Sequence, residues 1–332
     1  MGSNGKGRVF LTGRSGFVGG HVLHELLLAG YSVRALVRQP HDDVELVQFV
    51  QGDLRESGAF ARALYGCRYV VHCAALYSFS PRDRARLHDV NVRGTAGLLE
   101  AAHIAGVERA VLTSSSATVG PMRDGRLRTE NDWVNDDSKH GYHHSKVDQE
   151  RAAFASRVPV VALLPTAPVG PGDWKPTPTG RMVLDFANGK MSVEPPRGGL
   201  NLVAVEDVAR AHVTALERGV PGERYILGGE NLLLADIWQI LSEITEWPLP
   251  AWRIPDPVLT ALAYADELRC RLVPGAEPAI PVEGVRMARE LMFVDSSKAA
   301  RELGFTPTPV RDALERAVKW YVDNGYKCRS PL

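Results

Sequence analysis

Residues 12–20 read TGRSGFVGG, and they join a short apolar run that begins at Arg8 to a helically spaced stretch that ends at Gly30. Glycines in such a loop let the backbone turn sharply and let a pyrophosphate approach it closely. The start of the following helix adds unpaired N–H groups and the positive end of the helix dipole. A glycine-rich turn without a ligand is the alternative, but a strand before the loop and a helix after it favour dinucleotide binding. The residues that we expect to contact the dinucleotide here are Gly13, Arg14, Ser15, Gly16, Phe17, Val18 and Gly19.

Alternating strands and helices continue from this loop through the first half of the chain. Two later runs, YVVHCAA (69–75) and VVALL (160–164), are uniformly apolar, which is typical of parallel strands covered on both faces. The pattern predicts an α/β fold with a doubly wound parallel sheet, Rossmann-like, and a smaller, mainly helical substrate domain from the C-terminal part. After Pro165 the composition shifts to a segment rich in proline and glycine. We expect a dinucleotide-binding domain from 7–166 plus 201–230 and a substrate-binding domain from 167–200 plus 231–327.

Composition argues against several classes of protein. Lysine plus arginine equals aspartate plus glutamate at 39 each, and this zero formal net charge is unusual for a nucleic-acid-binding protein. The four cysteines are scattered without a C-x-x-C pair, which indicates reduced thiols and a cytoplasmic location. No apolar run precedes the first strand or approaches the roughly 18 residues of a membrane span. We therefore expect no signal peptide and no integral membrane segment.

The end of the second predicted strand, ALVRQP (35–40), bears on the choice of dinucleotide. NAD sites usually carry an acid there that holds the ribose 2′-hydroxyl, whereas this strand ends on Arg38. Arg38 and Arg14 could grip a 2′-phosphate with paired charge-assisted hydrogen bonds, and the alternative is two solvated surface arginines. We expect NADP as the cofactor, with NAD as the second choice. Asp53 follows the third strand in GDL (52–54), where it could contact the adenine edge.

The glycine loop and the motifs after it follow the order found in the extended short-chain dehydrogenase/reductase family, which the chain resembles over nearly its whole length. The motifs are HCAA (72–75), NVRGT (91–95), TSSSATVG (113–120), YHHSK (142–146) and PTAPVGPGD (165–173). Within that family the chain is most similar to the dihydroflavonol reductase-like group. The segments that resemble bacterial hopanoid-associated sugar epimerases are KPTPTGR (175–181), GLNLV (199–203) and GERYILGGENL (222–232). The resemblance implies cofactor contacts at Leu54, Ala74, Ala75, Asn91, Tyr142, Lys146 and Pro165.

The same resemblance makes Tyr142 the proton donor and acceptor, with Lys146 one helical turn away on the same face. A free tyrosine has a pKa of about 10, and the neighbouring ammonium is expected to lower that pKa by favouring the phenolate. Lys146 would also hold the nicotinamide ribose hydroxyls. Ser115, with Ser116 as the fallback, would hydrogen-bond the substrate oxygen and stabilise its developing charge. The alternative is a helix tyrosine and a serine turn that have nothing to do with each other.

Two adjacent histidines, His143 and His144, raise the question of a metal. Neighbouring residues of a helix point about 100° apart, so both cannot easily face one ion. His140 and His143 have a workable i, i+3 spacing, but no set of cysteine, histidine and carboxylate accompanies them at a recognised ligand spacing. We expect no metal, and we place these histidines partly at the surface or along the pocket.

Three functions compete for this set of residues. A carbonyl reductase or alcohol dehydrogenase would pass a hydride between the nicotinamide and a hydrophobic small molecule while Tyr142 handles the proton. A sugar-nucleotide epimerase would use the same residues on a retained cofactor, but such relatives resemble NAD binders and carry an Arg-Asp pair where this chain has Leu200 and Asn201. A non-catalytic dinucleotide sensor would be expected to lose Tyr142 or Lys146. The reductase is therefore our first expectation.

Two further expectations concern apolar helical surfaces. We expect a homodimer through helices near 84–105 and 139–157, because the first carries more apolar residues than one sheet face needs. Those residues are Leu87, Val90, Leu98 and Leu99. A stripe in 256–273 could roof an apolar pocket together with the 167–200 excursion, or else pack the small domain's own core. The residues are Leu259, Leu262, Ala263 and Leu268 from the stripe, and Trp174, Met182, Val183 and Phe186 from the excursion.

Overall fold

A seven-stranded parallel sheet forms the centre of the N-terminal part of the chain. The computed structural model describes residues 6–78, 80–134, 141–191, 193–252, 254–273, 282, 285 and 288–326. The strands are β1 Arg8–Thr12, β2 Ser32–Val37, β3 Val47–Gln51, β4 Tyr69–His72, β5 Arg109–Thr113, β6 Val160–Pro165, β7 Ala167–Val169, β8 Gly199–Ala204, β9 Arg224–Leu227, β10 Glu230–Leu233 and β11 Leu291–Met292. The order across the main sheet is β3-β2-β1-β4-β5-β6-β9, and every neighbouring pair is parallel.

Helices follow most of these strands, as the alternating pattern predicts. They are α1 Phe17–Leu28, α2 Ser57–Phe60, α3 Arg84–Leu87, α4 Gly94–Ile104, α5 Tyr142–Phe154, α6 Pro178–Ala187, α7 Val205–Arg218, α8 Leu234–Thr245, α9 Asp256–Leu272, α10 Ser297–Leu303 and α11 Val310–Asp323. A π-helical segment, His88–Arg93, joins α3 to α4 and completes the helical stretch predicted over 84–105. Within the described ranges, no helix combines the length and the apolar character that crossing a membrane would require.

Both faces of the main sheet are covered by helices, which is why its strands are almost wholly apolar. In β1, Val9 packs with α1 and α7 in one core cluster, and the next residue, Phe10, packs with α4 in another. Successive side chains of a strand point to opposite faces, so the two clusters lie on the two sides of the sheet. β6 is buried along its whole length. The predicted doubly wound α/β fold is therefore confirmed.

The leucines that motivated the homodimer prediction belong to the core of a single chain. Leu87, Leu98 and Leu99 are 1%, 0% and 2% exposed. Val90 packs, partly buried, against the same cluster as the last two leucines. These three leucines are therefore not available to a dimer surface, because the chain already covers them. The homodimer stays a prediction, and light scattering at micromolar concentration would decide it.

A second, smaller sheet lies in the later part of the chain. β8 pairs in parallel with β7 and β11 and antiparallel with β10. The helices α6, α8 and α11 pack together there around Val183, Trp238 and Leu314. In contrast, α7 packs on the main sheet and β9 forms its edge. The division into two domains at residues 166, 200 and 230 stays a prediction.

The carboxyl ends of β1, β4 and β5 meet at one edge of the main sheet, where the strand order reverses between β1 and β4. Thr12 at the end of β1 pairs with His72 of β4, which pairs in turn with Leu112 of β5. The glycine loop, the HCAA segment and the serine segment follow these three ends. Open α/β sheets bind ligands in the crevice at such a reversal. The topology thus brings the predicted motifs to one place.

Candidate active site

The glycine loop packs so closely that two of its positions have no room for a side chain. Gly13 has φ +80°, and a Cβ there would lie 2.5 Å from the backbone nitrogen of Ala74. A Cβ on Gly19 would lie 2.1 Å from the carbonyl oxygen of Gly13. The N-cap of α1 is Gly16, which offers no side-chain cap, so the first N–H groups of the helix have no side chain to satisfy them there. This close backbone at a helix N-terminus suits a pyrophosphate.

Asn91 holds the segment that follows β4. Its side-chain oxygen accepts a hydrogen bond from the Leu76 nitrogen at 2.7 Å, and its amide donates to the Leu76 oxygen at 3.0 Å. The same amide donates to Ser145 Oγ of α5 at 3.0 Å. At the start of the segment, the Ala74 nitrogen donates to Thr12 Oγ1 at 3.2 Å. Asn91 is fully buried, so it fixes the predicted cofactor segment against the helix that carries Tyr142.

Two arginines lie near the ends of β2 and β3. The guanidinium of Arg14 lies 4.9 Å from the centre of the Phe49 ring in β3. It also donates a hydrogen bond to His41 Nε2 at 3.1 Å. Arg38 follows the last residue of β2 directly and is exposed. Arg14 and Arg38, the two residues predicted to bind the 2′-phosphate, therefore both lie near the carboxyl end of β2, beside the glycine loop.

The segment after β3 contains Asp53 and Leu54. The Asp53 carboxylate forms a two-point ion pair with Arg55, with distances of 2.9 and 2.8 Å. The hydrogen bond from Arg55 is the main reason that the pKa of Asp53 falls to about 2. Leu54 is buried, and a Cβ on Gly94 would lie 2.8 Å from its Cγ, so Leu54 packs on the start of α4. Contact of Asp53 and Leu54 with a cofactor stays a prediction.

Tyr142 opens α5 and meets the serine segment that follows β5. The Ser115 side chain hydrogen-bonds the Tyr142 hydroxyl, whereas Ser114 donates to Glu150 instead. Burial raises the pKa of Tyr142 to about 12, and the hydrogen bond from Ser115 acts in the opposite direction. Ser116, the predicted fallback, is buried in a short 3₁₀ turn. The structure thus brings Ser115, rather than its neighbours, to the tyrosine.

The expectation that Lys146 lowers the pKa of Tyr142 is wrong for this structure. The ammonium donates to the carbonyl oxygen of Thr113 at 2.9 Å and to Gln149 Oε1 at 2.5 Å, so it is directed to the end of β5. Lys146 is 2% exposed, and this burial lowers its own pKa to about 8. The tyrosine hydroxyl and the ammonium therefore both stay protonated at neutral pH.

A cavity of about 730 Å³ opens from this crevice and is mainly apolar. The predicted site residues that line it are Gly13, Gly16, Phe17, Val18, Gly19, Ala75, Ser115, Tyr142, Lys146 and Pro165. Farther from Tyr142 the walls come from the later part of the chain, with Met182 of α6, Leu200 of β8 and Trp238 of α8. Ser15 is exposed in the glycine loop. The cavity therefore joins the glycine loop, the Ser115–Tyr142 pair and an apolar pocket.

The predicted roof of the pocket is correct at one residue and wrong at several. Met182 lines the cavity, but Val183 and Phe186 are buried in the core of the small sheet and its helices. In α9, Leu262 and Leu268 are 45% and 55% exposed, so they face away from the pocket. Ala263 is the stripe residue that α9 buries, whereas its neighbours Leu262 and Tyr264 are exposed. The walls that the stripe was expected to supply come from α8 and β8.

The adjacent histidines have different surroundings. His143 is 2% exposed and lines the cavity, with its ring 6.1 Å from that of Tyr142. His144 is partly exposed, and His140 lies outside the described residues. The described part of the chain contains no group of three or more histidine, cysteine or acidic residues that could hold a metal ion.

Sequence reasoning missed Tyr77, whose ring lies beside that of Tyr142. The two ring centres are 4.5 Å apart, and both rings line the cavity. Partial burial raises the pKa of Tyr77, whose side chain stays 46% exposed, and the neighbouring Tyr142 raises it further. Tyr77 comes two positions after the HCAA motif, in the segment expected to pass beside the cofactor. That position was the signal that could have identified it.

Similarity to known proteins covers about two thirds of the chain for the family model and nearly all of it for individual relatives. The model of the NAD dependent epimerase/dehydratase family matches residues 9–228. A Synechocystis sp. protein assigned as a dihydroflavonol 4-reductase is 39% identical over 330 residues, which cover 96% of this chain and 95% of that protein. Sterol demethylase protein B of Methylococcus capsulatus is 35% identical over 325 residues, or 95% of this chain and 98% of that protein. The crystal structure of a nucleoside-diphosphate-sugar epimerase from Pseudomonas aeruginosa superposes with a TM-score of 0.79 at 26% identity, covering 97% of this chain and 99% of the other.

Proposed function

The chain belongs to the NAD dependent epimerase/dehydratase family, and from that premise we propose that it is a carbonyl reductase or alcohol dehydrogenase for a hydrophobic small molecule. The observation that supports this most directly is the mainly apolar cavity that ends at the hydrogen-bonded pair of Tyr142 and Ser115. A cavity with apolar walls and a few polar groups is the usual form of a small-ligand site. Leu200 and Asn201 line the cavity where sugar-nucleotide epimerases tend to carry an Arg-Asp pair, so the charged pair expected of an epimerase is replaced by an apolar and an amide side chain.

The residues around the glycine loop fit a nicotinamide dinucleotide. Gly13 and Gly19 leave the backbone bare where the pyrophosphate would approach. The Nε atom of Arg14 is buried and finds no hydrogen-bond partner among the residues that the structure describes, as expected of a group that awaits an anion. Arg14 and Arg38 would hold the adenosine end, and Lys146 the nicotinamide ribose. When bound, the cofactor supplies or accepts the hydride.

Tyr142 and Ser115 would handle the substrate oxygen. In reduction, the carbonyl oxygen gains negative charge and takes the proton of Tyr142, while Ser115 donates a hydrogen bond to the same oxygen. With its pKa at about 12, the Tyr142 hydroxyl stays protonated at neutral pH and can act as the donor. The hydrogen bond of Ser115, which lowers the pKa of Tyr142, would then stabilise the phenolate that remains. In oxidation the proton returns to Tyr142.

For the cofactor we propose NADP rather than NAD. Arg38→Ala should weaken NADPH binding by about 10- to 100-fold, since a hydrogen bond to a charged group contributes about 1.5–3 kcal/mol. NADH binding should change little, because it lacks the 2′-phosphate. Fluorescence titration of both cofactors measures the two affinities. Arg93→Ala is the matched control, since Arg93 is also an exposed arginine and pairs with Asp89 on the preceding helical turn. If Arg38→Ala weakened the binding of NADPH and NADH equally, Arg38 would not be the residue that binds the 2′-phosphate.

A sugar-nucleotide epimerase is the second candidate, and the similarity to the Pseudomonas aeruginosa epimerase favours it. We expect oxidation of hydrophobic alcohols and reduction of the matching ketones, followed by nicotinamide absorbance. A sterol belongs in the panel, because one relative is named Sterol demethylase protein B. Nucleotide sugars are tested in parallel by product analysis. Efficient epimerisation without net cofactor turnover would overturn the reductase proposal and favour the epimerase.

We also propose that the protein works in a reducing compartment such as the cytoplasm. Cys67, Cys73 and Cys270 are free thiols, which suits such a compartment. Cys328 lies outside the described residues.

A further inference from the structure

One face of α5 is bound to the end of β5 at three successive points. Tyr142, Lys146 and Glu150 are spaced by four residues, so their side chains lie along the same side of the helix. Each of them contacts one residue of the stretch 113–115, where β5 ends and the serine turn begins. The first two contacts belong to the proposed active site. The third contact, made by Glu150, has no role in that mechanism.

Glu150 is fully buried, and its carboxylate is bound on two sides. The Ser114 hydroxyl donates to its Oε2 atom at 2.6 Å. Its other oxygen forms an ion pair with Arg224 of β9, whose side chain is only 7% exposed. Ser114 stands between Thr113, which binds Lys146, and Ser115, which binds Tyr142. A displacement of the Glu150 carboxylate would therefore shift Ser114 and both of these neighbours.

Arg224 is itself fixed by the surrounding chain. It donates to Thr118 Oγ1 at 2.7 Å and to the carbonyl oxygen of Glu130 at 2.5 Å. Its guanidinium lies 3.8 Å from the centre of the Trp133 ring. Removing two charges from water is expensive, so a buried ion pair such as Arg224–Glu150 is weak evidence for a role in stability. Its place beside the proposed active site points to a different role.

On the premise of the reductase proposed above, we propose that Glu150 is a positioning residue of the active site. Its carboxylate, held in place by Arg224, keeps the serine turn in register with α5 and favours the charged form of Lys146.

The electrostatic part of this role follows from the groups that face the ammonium. Burial lowers the pKa of Lys146 to about 8, while Glu150 and then Cys73 act in the opposite direction. Burial raises the pKa of Cys73 to about 12 and lowers that of His72 to about 3, so both are neutral near pH 7. Tyr142, with its pKa at about 12, is neutral as well. Without the Glu150 charge, the pKa of Lys146 falls below about 8, and the ammonium is lost at lower pH.

The test is Glu150→Gln, which keeps the shape of the side chain and removes its charge. In the reduction direction, the pH at which kcat declines on the alkaline side should move down by about one unit, a typical effect of one nearby opposite charge. Glu130→Gln is the matched control, because Glu130 is also buried and accepts a hydrogen bond from the Ile226 nitrogen at 2.9 Å. The Glu130 carboxylate is bound to β9 through this hydrogen bond, so its replacement should leave the pH of the alkaline decline unchanged.

A second variant separates positioning from folding. Glu150→Gln alone leaves Arg224 buried without its counter-ion, which can prevent folding. The double variant Glu150→Gln/Arg224→Gln removes both charges, so it should fold. Loss of the Arg224 charge partly offsets the loss of the Glu150 charge, so the downward shift should be smaller but still present, because the Glu150 charge acts directly on Lys146. NMR titration of isotope-labelled Lys146 in the holoenzyme should report that shift without any measurement of turnover. An unchanged Lys146 titration in the double variant would overturn the positioning role, whereas full activity of Tyr142→Phe would overturn only the reductase proposal.

Discussion

Tyr142→Phe should lower kcat by about 10²- to 10⁴-fold, the usual contribution of a positioned general acid or base. The substitution removes the hydroxyl that Ser115 hydrogen-bonds and keeps the ring that packs against Tyr77. Cofactor affinity should stay within about threefold of the wild type, since the glycine loop and Lys146 are unchanged. Stopped-flow measurement of hydride transfer with the best substrate of the panel would check the rate, and fluorescence titration would check the affinity.

Tyr77→Phe is the control for that experiment, because it removes a hydroxyl from the neighbouring ring in the same cavity. It should keep kcat within about tenfold of the wild type.

The pH dependence adds a second criterion. With its pKa at about 12, Tyr142 is already protonated at neutral pH, so oxidation, which needs the phenolate, should accelerate as pH rises. Tyr142→Phe should lose this acceleration. A near-wild-type rate in that variant would refute the role of Tyr142 as proton donor and acceptor.

The sequence predicted the sheet and the place of the crevice because both depend on local patterns. The loop of Gly13, Gly16 and Gly19 needs a strand before it and a helix after it, and the structure has both. Parallel strands covered on both faces must be apolar, so runs such as VVALL (160–164) indicated the central strands. The spacing of Tyr142 and Lys146 placed both on one helix face.

The parts that the sequence did not predict depend on contacts between distant segments. Spacing could not show that the ammonium of Lys146 is directed to the Thr113 carbonyl, and so the pKa of Tyr142 was expected to fall rather than rise. The ion pair of Glu150 with Arg224 joins a helix to a strand far along the chain, and no local pattern marks it. Helical periodicity found the α9 stripe but could not say which side of the helix faces solvent, and Leu262 is exposed.

Replacing glycine by alanine should have opposite effects on the melting temperature at two adjacent positions of the glycine loop, Gly19 and Gly20. A Cβ on Gly19 would lie 2.1 Å from the carbonyl oxygen of Gly13, so Gly19→Ala must push the loop away from α1. Overpacking of this kind costs about 1–3 kcal/mol, and it displaces the backbone that the pyrophosphate needs to approach. We expect a lower melting temperature and a loss of cofactor affinity of at least about 100-fold, or about 2.7 kcal/mol.

Gly20→Ala is the matched variant, because Gly20 also lies in the first turn of α1 but is exposed. A Cβ there would meet the Arg14 carbonyl oxygen at 3.4 Å, which is an ordinary contact. Alanine favours a helix over glycine by about 0.8–1 kcal/mol, so this variant should melt at the same temperature as the wild type or slightly higher. Calorimetry and cofactor titration compare the two variants directly. Normal cofactor binding by Gly19→Ala would mean that the pyrophosphate does not lie against this loop, and the dinucleotide would then have to bind elsewhere in the crevice.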